Sequence, residues 1–175
     1  MERDAEAPGA RPPQGVAFLL AQLGAHAADR FAERIAELDL TPAQAGLLRL
    51  LAGMPGRSQR ELADVLGMPP SRFVAFADEL EARGLIERRR NTADRRQYAL
   101  FLADEGVALL SRLRKAGAAH EQQICAALSV DEHRQLGVLL GRLAEQQGLS
   151  PGVHPGYGQV RAGGGRGGTA GRSGR

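Results

Sequence analysis

The chain has 175 residues, 43% of them apolar and 25% charged, which fits one domain with helical extensions and excludes a chain disordered throughout. Its net charge of +3 is unevenly placed: residues 150–175 hold four arginines and no acid, leaving residues 1–149 near −1, so bulk basicity alone is no argument for a nucleic-acid partner. One cysteine excludes an internal disulfide framework, no apolar run approaches the roughly 18 residues of a membrane span, and Glu2, Asp4 and Glu6 do not fit the basic-then-apolar start of a signal peptide, so a soluble, cytoplasmic protein is expected.

Residues 1–15, with three prolines, read as a flexible arm. Order is expected to begin near Val16. Leu19, Leu20, Leu23, Ala27, Phe31, Ile35 and Leu38 then recur at spacings of three and four, predicting an amphipathic helix of about six turns. That helix is long enough to cross the domain or to leave it and meet a partner.

The next starts are written in cap chemistry. Thr41-Pro42-Ala43-Gln44 offers a hydroxyl at the cap, proline in the first turn and a glutamine able to reach back to the cap amide. Leu47, Leu48, Leu50 and Leu51 supply the buried face. Ser58-Gln59-Arg60-Glu61 repeats the device ahead of Leu62, Ala63, Val65 and Leu66. Gly67 stops that short helix, and Pro69-Pro70 opens another with Phe73, Phe76, Ala77 and Leu80 inward. Gly84 suits its left-handed C-terminal cap.

Beyond Gly84 the period becomes extended. Residues 85–90 and 97–102 predict two strands joined by a polar turn, and residues 83–96 carry six arginines against Glu87 and Asp94. A short helix, a turn, a second helix and a basic hairpin is the element order of a winged helix-turn-helix. Helical period returns from Asp104 to Leu128, with Gly106 and Gly117 weakening its continuity. Ser129-Val130-Asp131-Glu132 is a third capping box, opening a last helix along Leu136, Leu139, Leu140 and Leu143. The glycine-rich residues 148–175 are expected to be disordered.

In order and spacing these stretches resemble the MarR family of bacterial regulators over residues 16–147. Thr41 to Gln44, Ser58 to Ala63, Leu80 to Ile86, and Asp94-Arg95-Arg96 with Leu102 to Gly106 carry the likeness. The resemblance implies a mainly α fold with a small β-hairpin wing. Residues 41–103 would form the DNA-binding winged helix-turn-helix, and residues 16–40 and 104–147 a helical dimerisation region. It further implies a homodimeric repressor of transcription, bound to double-stranded DNA and relieved by a small phenolic or anionic effector. This chain departs from the family pattern in Pro69-Pro70 and in Val74-Ala75, where a Thr-Arg pair is common. Ala103 also replaces the threonine that caps the fifth helix, leaving Asp104 as the expected cap one residue later.

The residues assigned to DNA are Ser71 and Arg72 at the start of the recognition helix, where side chains reach base edges in the major groove, and Arg88, Arg90, Asp94, Arg95 and Arg96 in the wing. By resemblance, Asp94 pairs with a wing arginine while Arg96 or Arg95 enters the minor groove. The bland alternatives are solvated arginines on a helix and a charged strand edge that blocks pairing. A winged module that binds protein and no longer reads operators is the rival function. Cys125 reads as a small buried residue, and His26, His120 and His133 lack the linear spacing of a metal site, so no metal or cofactor is expected. No catalytic constellation is present, and an enzyme is not expected.

Overall fold

The computed structural model describes residues 15–90 and 98–154. In chain order they form α1 (Val16–Ala36), α2 (Pro42–Gly53), β1 (Arg57–Ser58), α3 (Gln59–Val65), α4 (Pro70–Ala82), β2 (Ile86–Arg90), β3 (Tyr98–Leu102), α5 (Asp104–Ile124) and α6 (Val130–Gln146). The strands make one antiparallel sheet of order β1-β3-β2, with Ile86 opposite Leu102, Arg90 opposite Tyr98, and Arg57 opposite Leu100. β1 was not expected: two residues have no readable period, and its pairing with β3 is purely tertiary.

All three capping boxes form. The hydroxyls of Thr41, Ser58 and Ser129 accept from the amides of Gln44, Glu61 and Glu132, whose side chains accept in turn from the cap amides. At Ser58 and Ser129 these bonds hold the Glu61 and Glu132 carboxyls below the usual carboxylate range; at Glu61 the Arg57 guanidinium adds to the effect. Other ends differ from expectation. α1 stops at Ala36, so Leu38 lies in the following turn. There Asp39 takes a left-handed φ of 53° and Leu40 donates back to the Ile35 carbonyl. Aspartate tolerates this conformation better than most side chains. α5 starts one residue earlier than its expected cap implied: Ala103 caps without a side-chain bond, and Asp104 and Glu105 fill the first turn, where they favour the helix dipole.

The core sits in the middle of the chain. Phe73, Leu47, Leu48, Leu51, Leu62, Leu80, Ile86 and Leu100 are sealed from solvent, with Leu109, Leu110 and Leu113 of α5 closing one side. Val65, expected inside, is exposed. α1 contributes only Ile35 as a buried residue and α6 none. The core is therefore that of the winged unit, and the terminal helices are attachments to it. Residues 148–154 depart from the expected disorder: Gly148 stops α6, and Val153 returns to pack, partly buried, against the core.

One close approach fixes the wing to α5. A Cβ on Gly106 would lie 1.9 Å from the Leu85 carbonyl oxygen, while that oxygen accepts from the Ala103 amide at 3.1 Å. The glycine that the sequence offers as a weakness in α5 is the only residue type that fits there without displacement. Gly117 does not interrupt the helix either. Gly106→Ala is expected to lower stability by about 1–3 kcal/mol, the ordinary range for overpacking a rigid contact. Chemical denaturation reads the change, and an unaltered midpoint would contradict the contact.

Candidate nucleic-acid interface

α4 divides its residues between core and solvent. Phe73, Ala77 and Leu80 are buried, while Ser71, Arg72, Val74 and Ala75 are exposed on the opposite face of the first two turns. This is the face expected to read bases, with Pro69 and Pro70 pinning its start. Asp78, Glu79 and Glu81 follow, and their carboxylates are taken up within the protein. Glu79 accepts from the buried Gln44 amide at 2.8 Å, linking α2 to α4. Asp78 accepts from Arg88 at 2.6 Å, and Glu81 accepts from both the guanidinium and the backbone amide of Arg88.

The predicted wing arginines are thus not equivalent. The Arg88 side chain is only 15% exposed and its guanidinium lies between two α4 carboxylates, bracing β2 to α4. Arg89 pairs with Glu87 and lies over the Phe101 ring, 4.7 Å from its centroid. Arg90 is exposed at the end of β2, opposite Tyr98. Asp94, Arg95 and Arg96 lie outside the described residues.

A second feature was not legible in the sequence. An open cavity of about 980 Å³ lies between α1, the end of α2 and α5, with Gly152, Val153 and His154 at its margin. Small residues on facing helices, among them Gly24 and Ala28 of α1 and Gly117 of α5, make the room. Phe31, Leu110 and Leu113 give it apolar walls, and Arg49, Arg114, Glu121 and His120 give it polar ones. His120 packs against Phe31 with ring centroids 5.4 Å apart; burial, aided by the nearby Arg34 and His26, pushes its pKa down and favours the neutral ring. The helical period marks which residues face inward but not that these small ones leave a gap.

At the joint between α5 and α6, His133 has its Nε2 2.6 Å from the Glu121 carboxylate. The Cys125 thiol points to the same carboxylate at 3.9 Å. Cys125 is half-buried and caps α5, not sealed inside it. Partial burial and the Glu121 charge push its pKa up, which disfavours the reactive thiolate of an oxidant sensor.

A helix-turn-helix with its second helix exposed at the start, braced to a basic two-stranded wing, defines a winged-helix DNA-binding protein. The sequence profile of the MarR family matches residues 38–97. A putative transcriptional regulatory protein for the hcr operon of Thauera aromatica is 37% identical, over 64% of this chain and 68% of its own length. The HTH-type transcriptional repressor MdtR of Bacillus subtilis is 30% identical, over 65% and 73% respectively. Among solved structures, the transcriptional repressor CouR bound to a 23-mer DNA duplex superposes with a TM-score of 0.66 at 37% identity, covering 74% of this chain and 92% of that one. CouR bound to p-coumaroyl-CoA matches with a TM-score of 0.62 at 34% identity, over 75% and 93%. The chain belongs to the MarR family of transcriptional regulators, and it is a regulator and not an enzyme. No helix among the described residues is long and apolar enough to cross a membrane.

Arg88→Ala would strand the Asp78 and Glu81 carboxylates beside the wing. The expected loss is about 1–2 kcal/mol, below that of a fully buried pair because both acids are partly hydrated. Urea denaturation measures it, and a loss no larger than that of Arg90→Ala would mean the brace is not stabilising.

Proposed function

We propose that this protein is a homodimeric, sequence-specific repressor that acts on DNA in the cytoplasm and is released from it by a small anionic ligand. The observation that carries the DNA reading is the exposed first face of α4, followed by acids that each bond to Gln44 or Arg88. Ser71, Arg72 and the apolar pair Val74 and Ala75 are exposed on this face. Arg72 suits bidentate contact with a guanine, and the apolar pair suits thymine methyl groups. The wing adds phosphate contacts from Arg90, Arg95 and Arg96.

Dimerisation is supported by what α1 and α6 leave uncovered. Phe18, Leu19, Leu20 and Leu23 on one, and Leu136, Leu139, Leu140 and Leu143 on the other, are all more than a third exposed. Stripes of this size at helical spacing are read as faces for another chain. Two copies would place their α4 helices on half-sites about one DNA turn apart.

The ligand reading rests on the cavity beside α1 and α5 and on the p-coumaroyl-CoA complex of CouR. Apolar walls with Arg49 and Arg114 at hand suit an aromatic acyl group joined to a phosphate-bearing carrier, an aryl thioester of coenzyme A. A ligand seated there touches the long helices and the end of α2 together, so it can bias the spacing of the two DNA-reading units.

Competition gel shifts between the DNA upstream of the protein's own gene and random duplex test the first claim. The upstream duplex should win; equal affinity would favour the protein-binding rival. Arg72→Ala is expected to cut specific affinity by about tenfold, within the 1–3 kcal/mol of one bidentate base contact. Arg95→Ala with Arg96→Ala should instead weaken both duplexes and flatten the log–log salt slope by about 2. An unchanged slope would remove these arginines from the interface.

For the ligand, p-coumaroyl-CoA is the probe. It should release the bound upstream duplex, and Arg49→Ala with Arg114→Ala should raise the concentration needed by about tenfold or more. Undiminished release from the double variant would place the ligand elsewhere.

A further inference from the structure

We propose that Glu121, Cys125 and His133 form a binding site for one transition-metal ion of the zinc class at the joint between α5 and α6. A sulfur, an imidazole nitrogen and a carboxylate oxygen from these residues all lie within 4.8 Å of one another. Zinc holds sulfur at about 2.3 Å and nitrogen or oxygen at about 2.0–2.2 Å, which places tetrahedral ligand atoms about 3.3–3.8 Å apart. The Cys125 sulfur and the Glu121 oxygen are already 3.9 Å apart, and the His133 nitrogen and that oxygen, at 2.6 Å, need only part slightly for an ion to enter between them.

The chemistry of the set is selective. A thiolate with an imidazole favours zinc, cobalt or copper over magnesium and calcium, which take oxygen ligands. A thiolate and a carboxylate together supply two negative charges, balancing a divalent ion. Three protein ligands leave a fourth position for water or for a ligand from outside the chain.

The fold prepares the three groups independently of any metal. Glu121 and Cys125 are four residues apart, on one face of the last turn of α5. His133 stands in the first turn of α6, and the Ser129–Glu132 capping box sets the direction of that turn. Asp131 and Glu132 lie beside it, offsetting the positive end of the helix dipole that would otherwise repel a cation. No residue of α6 is buried, so the joint is what aims this helix. An ion bridging it would fix the angle between α5 and α6.

Cobalt titration of the reduced, untagged full-length protein tests the site. A thiolate-to-cobalt charge-transfer band should saturate at one ion per chain and disappear when zinc is added. Cys125→Ser should abolish the band, and Glu121→Gln and His133→Gln should each weaken cobalt binding by about tenfold or more. All three side chains are at least partly exposed, and circular dichroism of the metal-free variants verifies their folding. Should Cys125→Ser fail to fold, the two glutamine variants decide the matter. The absence of a band would overturn the proposal. So would a band whose affinity is the same in both glutamine variants as in the parent, because the ion would then be held without the joint.

Discussion

The backbone of Leu85 is a point at which α4, the wing and α5 are joined. Its amide donates to the Leu80 carbonyl as α4 ends, and its carbonyl accepts from Ala103 as α5 begins. Gly84, at φ 68°, turns the chain sharply enough for Leu85 to serve both. Gly106 then lets the first turn of α5 settle against that carbonyl. Recognition helix, wing and long helix are thereby referred to one peptide group, and a displacement of α5 reaches α4 without passing through a flexible connection.

Charge on this protein is organised by subtraction. α4 and β2 together hold many acids and arginines, and most of them cancel locally: Arg88 with Asp78 and Glu81, Arg89 with Glu87. The pairs stiffen the wing against α4. Glu79 is likewise engaged, by the Gln44 amide. A count of arginines overstates what is offered to phosphate. The same count understates the geometry, because the residual positive groups lie on an element that the cancelled ones hold in place.

Much of this architecture was legible because it is local. Capping boxes act over three residues, so Thr41, Ser58 and Ser129 announced their helices from sequence alone, and the change of period after Gly84 announced the wing. Features made by distant pairs were not. β1 exists because β3 lies beside it. The pairing of Arg88 with Asp78 and Glu81 exists only because α4 packs across β2. Gly106 looks like a poor helix residue until the Leu85 carbonyl is set against it. His133 joins Glu121 and Cys125 only because the chain reverses between α5 and α6. Of the candidate site, the exposed face of α4 stands where the pattern put it, whereas the cavity beside α5 is an absence of side-chain volume that no pattern marks.

In the dimer proposed above, the exposed leucines of α6 would tie the protein to its own abundance. A helix of 17 residues, none of them fully buried among the described residues, has little stability in isolation. In the proposed dimer its helicity, the pairing of subunits and the capacity to hold two half-sites would rise together by mass action. Operator occupancy would then grow more steeply than expression, giving the gene that encodes such a regulator a threshold without any further component.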